Sequence, residues 1–431
     1  MLDRLFKLSE NGTSVRTEVI AGITTFLTMS YIIFVNPDIL STTGMDRSAV
    51  FVATCLAAAL GTLVMAFVAN WPIGMAPGMG LNAFFAFTVV AALGFTWQQA
   101  LGAVAISGVI FFILTVTGIR SWLIVGIPHS MRSAIAVGIG LFLGIIAMQS
   151  AGIVVDSPAT LVTLGDLHKT GPLLAILGFL IIAVLDALQV KGAILIGIII
   201  VTILSWLLGA GEFRGVFSTP PSILPTFMQL DIVGAMHGGL FHIILVFVLV
   251  EVFDATGTLI GIAKRANLIE EGKPNRLSRA LLADSTAIVA GSLLGTSSTT
   301  AYVESASGVQ AGGRTGLTAL IVALLFLAAL FISPLATSVP KFATAPALLY
   351  VAGLMMRELV EVDWDDVTEA APAALTALGM PFTYSIANGL AFGFISYVGI
   401  KVCTGRWKML HPATVIVAAL FVIRFAFFSG H

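Results

Sequence analysis

The amino-acid sequence predicts an all-α polytopic membrane protein with fourteen transmembrane segments. Of its 431 residues, 58% are hydrophobic and only 10% are Asp, Glu, Lys or Arg, whereas a soluble protein carries about 25% charged residues. The mean hydropathy is +1.04. The apolar runs are long and continuous rather than alternating, which excludes an outer-membrane β-barrel and favours a helical bundle.

Apolar runs of about 20 residues are long enough to cross the hydrocarbon core as helices. The first seven predicted spans cover residues 18–36, 49–69, 74–91, 99–118, 130–149, 172–187 and 192–209. After a polar connector at 210–235, the second seven cover 239–262, 280–295, 298–311, 315–333, 343–357, 367–385 and 386–402. A last apolar run, 412–429, carries Arg424 in its middle and is either an interfacial helix or a further span.

An odd number of spans in each half predicts that the halves have opposite orientations, an inverted repeat typical of secondary transporters. Lys and Arg concentrate on one side, which contains the N-terminal arm and the loop 264–279 with Lys264, Arg265, Lys273, Arg276 and Arg279. This side is predicted to be cytoplasmic. We therefore expect a multi-pass protein of the plasma (inner) membrane with a cytoplasmic N-terminus.

The third predicted span of each half is interrupted. Residues 71–82 contain two prolines and three glycines, which cannot sustain a continuous helix. Residues 291–304 are rich in hydroxyl and β-branched side chains and predict extended or broken backbone. Because irregular backbone at membrane depth must be enclosed in protein or line a cavity, these segments predict a substrate site near the membrane midplane.

Three carboxylates mark the same region. Glu251 and Asp254 lie one helical turn apart in an apolar span, and Glu304 follows the second interrupted segment. A charge at the centre of a span costs at least about 2.5–3.5 kcal/mol on insertion scales, so such residues usually face a cavity and serve function. For Asp254 a structural role is an equal alternative to direct substrate contact.

Several classes of function are excluded or disfavoured. The net charge of −1 provides no basic surface for nucleic acid. The two cysteines and the scattered histidines have no partners at metal-ligand spacing, so we expect no metal site and no cofactor. Phosphate-binding loops and the commoner hydrolase motifs are missing from the sequence, which argues against an ATPase and against an enzyme.

Four sequence blocks resemble the nucleobase-cation symporter 2 superfamily, specifically its azaguanine-transporter-like branch of adenine, guanine and hypoxanthine permeases. The blocks are residues 21–29, 75–85, 251–259, and 295–304 continuing to 312–316. The resemblance implies a uracil-transporter-like 7+7 inverted repeat in which spans 3 and 10 contain short extended stretches. It implies a core domain at 1–120 and 236–335, a gate domain at 121–210 and 336–402, and a C-terminal apolar helix at 403–431.

The resemblance also implies the residues of the substrate site. Glu251 and Glu304 correspond to the acids that anchor the base, and Asp254 accompanies them. The full set of expected substrate-binding residues comprises Glu251, Glu304, Ala76, Pro77, Gly78, Asn82, Thr300, Ala301, Tyr302, Val303, Thr25 and Phe26. Many purine relatives have Asp where this chain has Glu251, which leaves the base preference open.

The function that follows is import of a purine nucleobase by proton symport, with alternating access between core and gate domains. A desolvated carboxylate can take up and release a proton near neutral pH, so Glu251, Asp254 and Glu304 are the expected coupling residues. Proton coupling is favoured over sodium because no cage of oxygen ligands is evident. The residues favour guanine and hypoxanthine slightly over adenine. A small-anion carrier of the same fold and a channel are the alternatives. The expected partners are the base, the lipid bilayer and, as one option, a second copy in a homodimer.

Overall fold

The structure, a computed structural model, describes residues 2–237, 241–266, 268 and 276–428. Within these ranges the chain forms twenty α-helices and four short β-strands. The elements of the first half are α1 (Leu2–Phe6), α2 (Val15–Met29), α3 (Ile32–Leu40), α4 (Arg47–Val64), β1 (Met75–Pro77), α5 (Met79–Ala83), α6 (Trp97–Val116), α7 (Ile119–Gly126), α8 (His129–Ser150), β2 (Val154–Ser157), β3 (Leu161–Leu164), α9 (Thr170–Ala187) and α10 (Ala193–Leu207).

The second half repeats the alternation of long helices with short interrupted segments. Its elements are α11 (Ile232–His237), α12 (Phe241–Arg265), α13 (Leu277–Leu294), β4 (Thr299–Ala301), α14 (Ser305–Gln310), α15 (Gly316–Ala329), α16 (Ser333–Ser338), α17 (Lys341–Met355), α18 (Val367–Phe382), α19 (Ile386–Cys403) and α20 (Pro412–Phe428). Wider, π-type turns continue α4 over Met65–Ala69 and α5 over Phe84–Ala92.

Ten helical stretches among the described residues are long and apolar enough to cross a membrane, and three shorter apolar helices accompany them. This confirms a helical, multi-pass membrane protein, while the count of fourteen spans stays a prediction. The predicted first span is longer than expected, because α2 and α3 together with the following turn form one stretch from Val15 to Thr43. The predicted start of the eighth span at 239, residues 267 and 269–275 of the basic loop, and residue 429 lie outside the described residues.

The helices pack in two groups that share few elements. In the first group α4 packs against α13 and α15, and α6 packs against α12 and α13. In the second group α8 packs against α17 and α18, and α9 packs against α10 and α17. The C-terminal helix α20 packs against α19 and α7. The interrupted segments of the chain belong to the first group, where they meet between α4, α12 and α13.

Glu18 ties the beginning of the first long helix to the glycine-rich segment 312–316. Its carboxylate accepts hydrogen bonds from the backbone N–H groups of Arg314, at 2.9 Å, and Thr318, at 3.1 Å, and from the Thr318 hydroxyl at 2.6 Å. A carboxylate in this position satisfies N–H groups at the start of α15 that have no partner within the helix. Gly312 has a φ of +105°, which glycine adopts at little cost. The motif at 312–316 is therefore a helix start fixed to α2.

Candidate functional site

The two interrupted segments pair with each other in the protein interior. Strands β1 and β4 are antiparallel, with Met75 opposite Ala301, Ala76 opposite Thr300, and Pro77 opposite Thr299. A hydrogen bond from Gly78 N to the Ser298 carbonyl, 2.8 Å long, continues the pairing beyond the strands. The backbone of each segment thus finds its hydrogen-bond partners in the other segment, which is what permits extended chain at membrane depth.

Local sequence explains why these segments are extended. Pro72 and Pro77 lack the N–H that a helix needs, and β-branched Thr299 and Thr300 favour strand conformation. The phenol of Tyr302 then fixes the pair, because its hydroxyl donates a 2.6 Å hydrogen bond to the Pro77 carbonyl. The expected substrate-binding residues Ala76, Pro77, Gly78, Thr300 and Ala301 are all buried along this pair, and the pairing itself engages part of their backbone.

Glu304 lies where the second segment leaves the strand pair and enters α14. Its Oε1 accepts a 2.5 Å hydrogen bond from the Tyr31 hydroxyl, and its backbone carbonyl accepts one from the Thr28 hydroxyl at 3.4 Å. Glu304 is partly exposed, and the neighbouring Val303 is 59% exposed, whereas Tyr302 is buried. Accessible surface is therefore found at Val303 and Glu304, whereas the paired strands are buried.

The two acids of α12 have different surroundings. Asp254 is partly exposed and close enough to Glu304 and Asp284 for electrostatic interaction. Glu251 is fully buried, and its Oε1 accepts a 3.1 Å hydrogen bond from the Ser107 hydroxyl of α6. Its Oε2 has no hydrogen-bond partner among the described residues. The accessible acidic pair is thus Glu304 with Asp254, while Glu251 lies behind it against α6.

Asn82 and Thr25 are buried and bind other parts of the scaffold. The Ser297 hydroxyl is hydrogen-bonded to Oδ1 of Asn82, which ties α5 to the segment that precedes β4. Thr25 of α2 lies against Gly308 of α14 so closely that a Cβ on that glycine would overlap the threonine hydroxyl. Phe26 is partly exposed, and its ring packs edge-on against Phe326 at a centroid distance of 5.2 Å. Of these residues Phe26 is the one placed to line an accessible space.

Sequence reasoning missed two charged residues that the structure places directly behind β4. Oδ1 of Asp284 accepts hydrogen bonds from the Thr300 hydroxyl, at 3.0 Å, and from Ala301 N, at 3.2 Å. Nη2 of Arg120 lies 3.9 Å from the other carboxylate oxygen, and both side chains are almost completely buried. The Arg120 guanidinium also packs over the Phe111 ring, 4.1 Å from the ring centroid. Asp284 carried the same signal as Glu251, a carboxylate in an apolar span.

Tyr31 was also missed. It occupies the junction between α2 and α3 and is 1% exposed. A tyrosine in an apolar span carries no signal in the sequence alone, because most such residues pack in the core or at the membrane interface. Its role emerges only from its hydrogen bond to Glu304, a residue of the other half of the chain.

No group of three or more His, Cys, Asp and Glu side chains among the described residues is arranged to hold a metal ion. The site therefore offers carboxylates, hydroxyls and backbone groups, which recognise a ligand by hydrogen bonding. A chain of apolar helices that encloses paired, interrupted segments with partly exposed acids at their end has the architecture of a membrane permease.

The comparisons with known proteins name the family. A family model described as Permease family (Xan_ur_permease) matches residues 16–392, and the chain belongs to that family. The match agrees with the resemblance to the nucleobase-cation symporter 2 superfamily that the sequence motifs indicated.

Two relatives with curated names cover nearly the whole chain. The chain is 50% identical to the adenine permease AdeP of Escherichia coli K12 over 100% of its own length and 97% of that protein. It is 45% identical to the guanine/hypoxanthine permease PbuO of Bacillus subtilis 168 over 97% of its own length and 99% of that protein. Among solved structures, the transmembrane domain of the cyanobacterial bicarbonate transporter BicA matches with a TM-score of 0.60, at 16% identity, over 95% of this chain and 96% of that domain. The likeness to BicA concerns the fold alone.

Proposed function

We propose that this protein imports purine nucleobases by proton symport, with alternating access of one site to the two sides of the membrane. The observation that carries the proposal is the pair of partly exposed acids, Glu304 and Asp254, at the open end of the paired strands. Its relatives are named adenine permease and guanine/hypoxanthine permease, so a purine is the substrate class that the family and the site chemistry share.

The chemistry of the acids suits a purine. An ionised carboxylate only accepts hydrogen bonds, whereas a protonated one can also donate. Glu304 in its ionised form accepts from a purine N–H, and a protonated acid donates to a ring nitrogen such as N1 of adenine. The partly exposed ring of Phe26 offers an apolar face beside the planar base.

Proton coupling rests on the same carboxylates. Removing a carboxylate from water favours its neutral form, so an acid in an enclosed site exchanges a proton as the site opens and closes. Glu251, Asp254 and Glu304 are the coupling candidates, and the fully buried Glu251 is the most strongly desolvated in this conformation. The proton is preferred to sodium as the coupling ion because the same carboxylates can carry it.

The proposed architecture is a 7+7 inverted repeat of fourteen spans in the plasma membrane, with the N-terminus in the cytoplasm. The two packing groups support a core domain at 1–120 and 236–335 that moves relative to a gate domain at 121–210 and 336–402. The pairing of β1 with β4, one from each half, supports the inverted repeat. A homodimer is the assembly expected from related folds.

Binding and transport assays with purified protein test the proposal. Tritiated adenine, guanine and hypoxanthine are offered to proteoliposomes with an inside-alkaline pH gradient, and bicarbonate, sulfate and uracil serve as competitors. Concentrative purine uptake that collapses with a protonophore and is unaffected by the anions is the expected result. Uptake of an anion but not of a purine would identify an anion carrier instead, and unsaturable uptake without accumulation would identify a channel.

Glu304→Gln tests the site itself. The substitution keeps the shape and removes the charge, and hydrogen bonds to charged groups contribute about 1.5–3 kcal/mol, so purine affinity should fall roughly tenfold to a hundredfold. Glu212→Gln, in the exposed connector, is the matched control and should bind like the wild type. Unchanged affinity of the Glu304 variant would remove this residue from the binding site.

A further inference from the structure

Glu304 does not present a free carboxylate to the site. Its Oε1 accepts a 2.5 Å hydrogen bond from the Tyr31 hydroxyl. Each carboxylate oxygen has two lone pairs, but a donor at this distance sets the plane of the carboxylate and occupies the side of Oε1 that faces Tyr31. Oε2 is the oxygen that Tyr31 does not engage.

Tyr31 is held in place firmly enough to impose this geometry. Its side chain is 1% exposed and belongs to the main hydrophobic core, and a buried tyrosine has only two side-chain torsions, both fixed by packing. Its backbone carbonyl accepts hydrogen bonds from the N–H groups of Phe34 and Val35, each 3.1 Å long, at the start of α3. The junction between α2 and α3 therefore delivers the hydroxyl to a fixed point beside Glu304.

The consequence concerns which edge of a purine Glu304 can bind. Guanine carries two adjacent donors, N1–H and N2–H, which match the two oxygens of a free carboxylate. Hypoxanthine carries N1–H without the 2-amino group, and adenine carries an amine beside the acceptor N1. Hypoxanthine therefore needs one carboxylate oxygen on that edge and guanine needs both, whereas adenine pairs its amine and N1 with the two oxygens of a protonated acid.

We propose that Tyr31 is a specificity-determining residue: by occupying Oε1 of Glu304 it makes this acid a one-oxygen acceptor and selects for hypoxanthine, which has a single donor on the bound edge, over guanine. The proposal rests on the proposed function and deepens it. It also separates guanine from hypoxanthine, two bases that the sequence analysis favoured together over adenine.

The test is the ratio of guanine affinity to hypoxanthine affinity, measured by competition binding on detergent-purified protein. Tyr31→Phe removes only the hydroxyl and frees Oε1, so guanine affinity relative to hypoxanthine should rise about tenfold, the size of one added hydrogen bond. The matched control is Tyr350→Phe, which loses a 2.5 Å hydrogen bond of the same kind, to Asp186 in the other packing group, and should leave the ratio unchanged.

A second variant assigns the effect to the carboxylate. In a Glu304→Gln background the additional change Tyr31→Phe should no longer shift the ratio, because glutamine has a single acceptor oxygen and cannot pair with both guanine donors whether or not Tyr31 donates to it. A shift of the same size in that background would show that Tyr31 acts elsewhere and would overturn the proposal. An unchanged ratio in folded Tyr31→Phe would also overturn it.

A measurement on the wild type needs no variant to fold. Guanine differs from hypoxanthine by the 2-amino group, so the wild type should bind guanine no more tightly than hypoxanthine. Binding of guanine tenfold tighter than that of hypoxanthine would overturn the role of Tyr31 without contradicting purine transport. A wild type that binds no purine at all would instead refute the proposed function, so the two failures are distinguishable.

Discussion

Arg120 and Asp284 form an ion pair in the protein interior, with Nη2 of the arginine 3.9 Å from Oδ2 of the aspartate and both side chains almost completely buried. The other oxygen of the same carboxylate accepts from the hydroxyl of Thr300 and the backbone of Ala301 in β4. The pair therefore links α7, which follows directly after α6, to β4, the strand that lies beside the candidate substrate site. A substitution of Arg120 should therefore disturb β4 through Asp284.

Asp284→Asn should lower the free energy of unfolding more than the removal of a surface charge does. Removing one partner leaves the Arg120 guanidinium without this counter-charge in a buried position, which typically costs about 3–5 kcal/mol. Thermal unfolding followed in detergent should show a clear drop in Tm. The exposed pair between Arg214 and Glu212 provides the control, since Glu212→Gln should leave Tm unchanged.

The double variant Arg120→Gln with Asp284→Asn separates pairing from simple loss of contacts. Its drop in Tm should be smaller than the sum of the two single drops, because the double variant removes both charges of the pair together. Additive drops would mean that the two residues act independently.

Gly78→Val should abolish transport while the protein still inserts into the membrane. A Cβ at Gly78 would lie 3.1 Å from the methyl group of Thr300, and a β-branched side chain adds two further carbons at the place where β1 meets β4. Uptake of labelled purine and protein yield are measured together. Gly353→Val, where a Cβ meets nothing within 4 Å, is the control, and normal uptake by the Gly78 variant would place the site elsewhere.

A polar cluster at the end of α3 joins the two packing groups and should stabilise the conformation described here. Asp38 is paired with Arg47, and its Oδ2 accepts a 2.9 Å hydrogen bond from the Thr344 hydroxyl of α17. Arg47 also donates to the backbone carbonyl of Val339 at 2.9 Å. Thr344→Val removes one link and should shift the population away from the conformation in which Val303 is exposed.

Thiol labelling measures this shift. In a Cys403→Ser background, which removes the exposed native cysteine, Val303→Cys should react with a hydrophilic maleimide, and adding Thr344→Val should slow the reaction several-fold. Thr404→Val, which loses a hydrogen bond within its own helix, should not change the rate. Equal rates in all backgrounds would show that the cluster does not control access to the site.

Glu251→Gln should separate accumulation from exchange. The variant mimics a permanently protonated acid, so gradient-driven uptake in proteoliposomes should fall, whereas exchange of labelled for unlabelled base needs only reorientation of the loaded carrier. In the wild type, uptake should rise as external pH falls, because a higher proton concentration loads the carboxylate. Wild-type accumulation that depends on a sodium gradient and not on pH would refute proton symport. A Glu251 variant that still concentrates base would indicate Asp254 or Glu304 as the proton site.

The sequence alone determined that this is a helical membrane protein, where its long helices and two breaks lie, and which family it belongs to. These features are local. A run of apolar residues must form a helix in lipid because its backbone has no other partner, and the prolines at 72 and 77 break that helix wherever the segment is placed. The position of Glu304 at the end of the second break follows from the same local reading.

Only the tertiary structure decided which of these parts meet. That β1 pairs with β4, that Tyr31 donates to Glu304, and that Arg120 lies behind Asp284 are contacts between residues far apart in the chain. Glu251 and Asp254 are one turn apart on α12, yet one is buried against Ser107 and the other is partly exposed near Glu304. The physical reason is that a side chain's partners and its access to solvent depend on how neighbouring helices pack around it, and spacing along one helix does not contain that information.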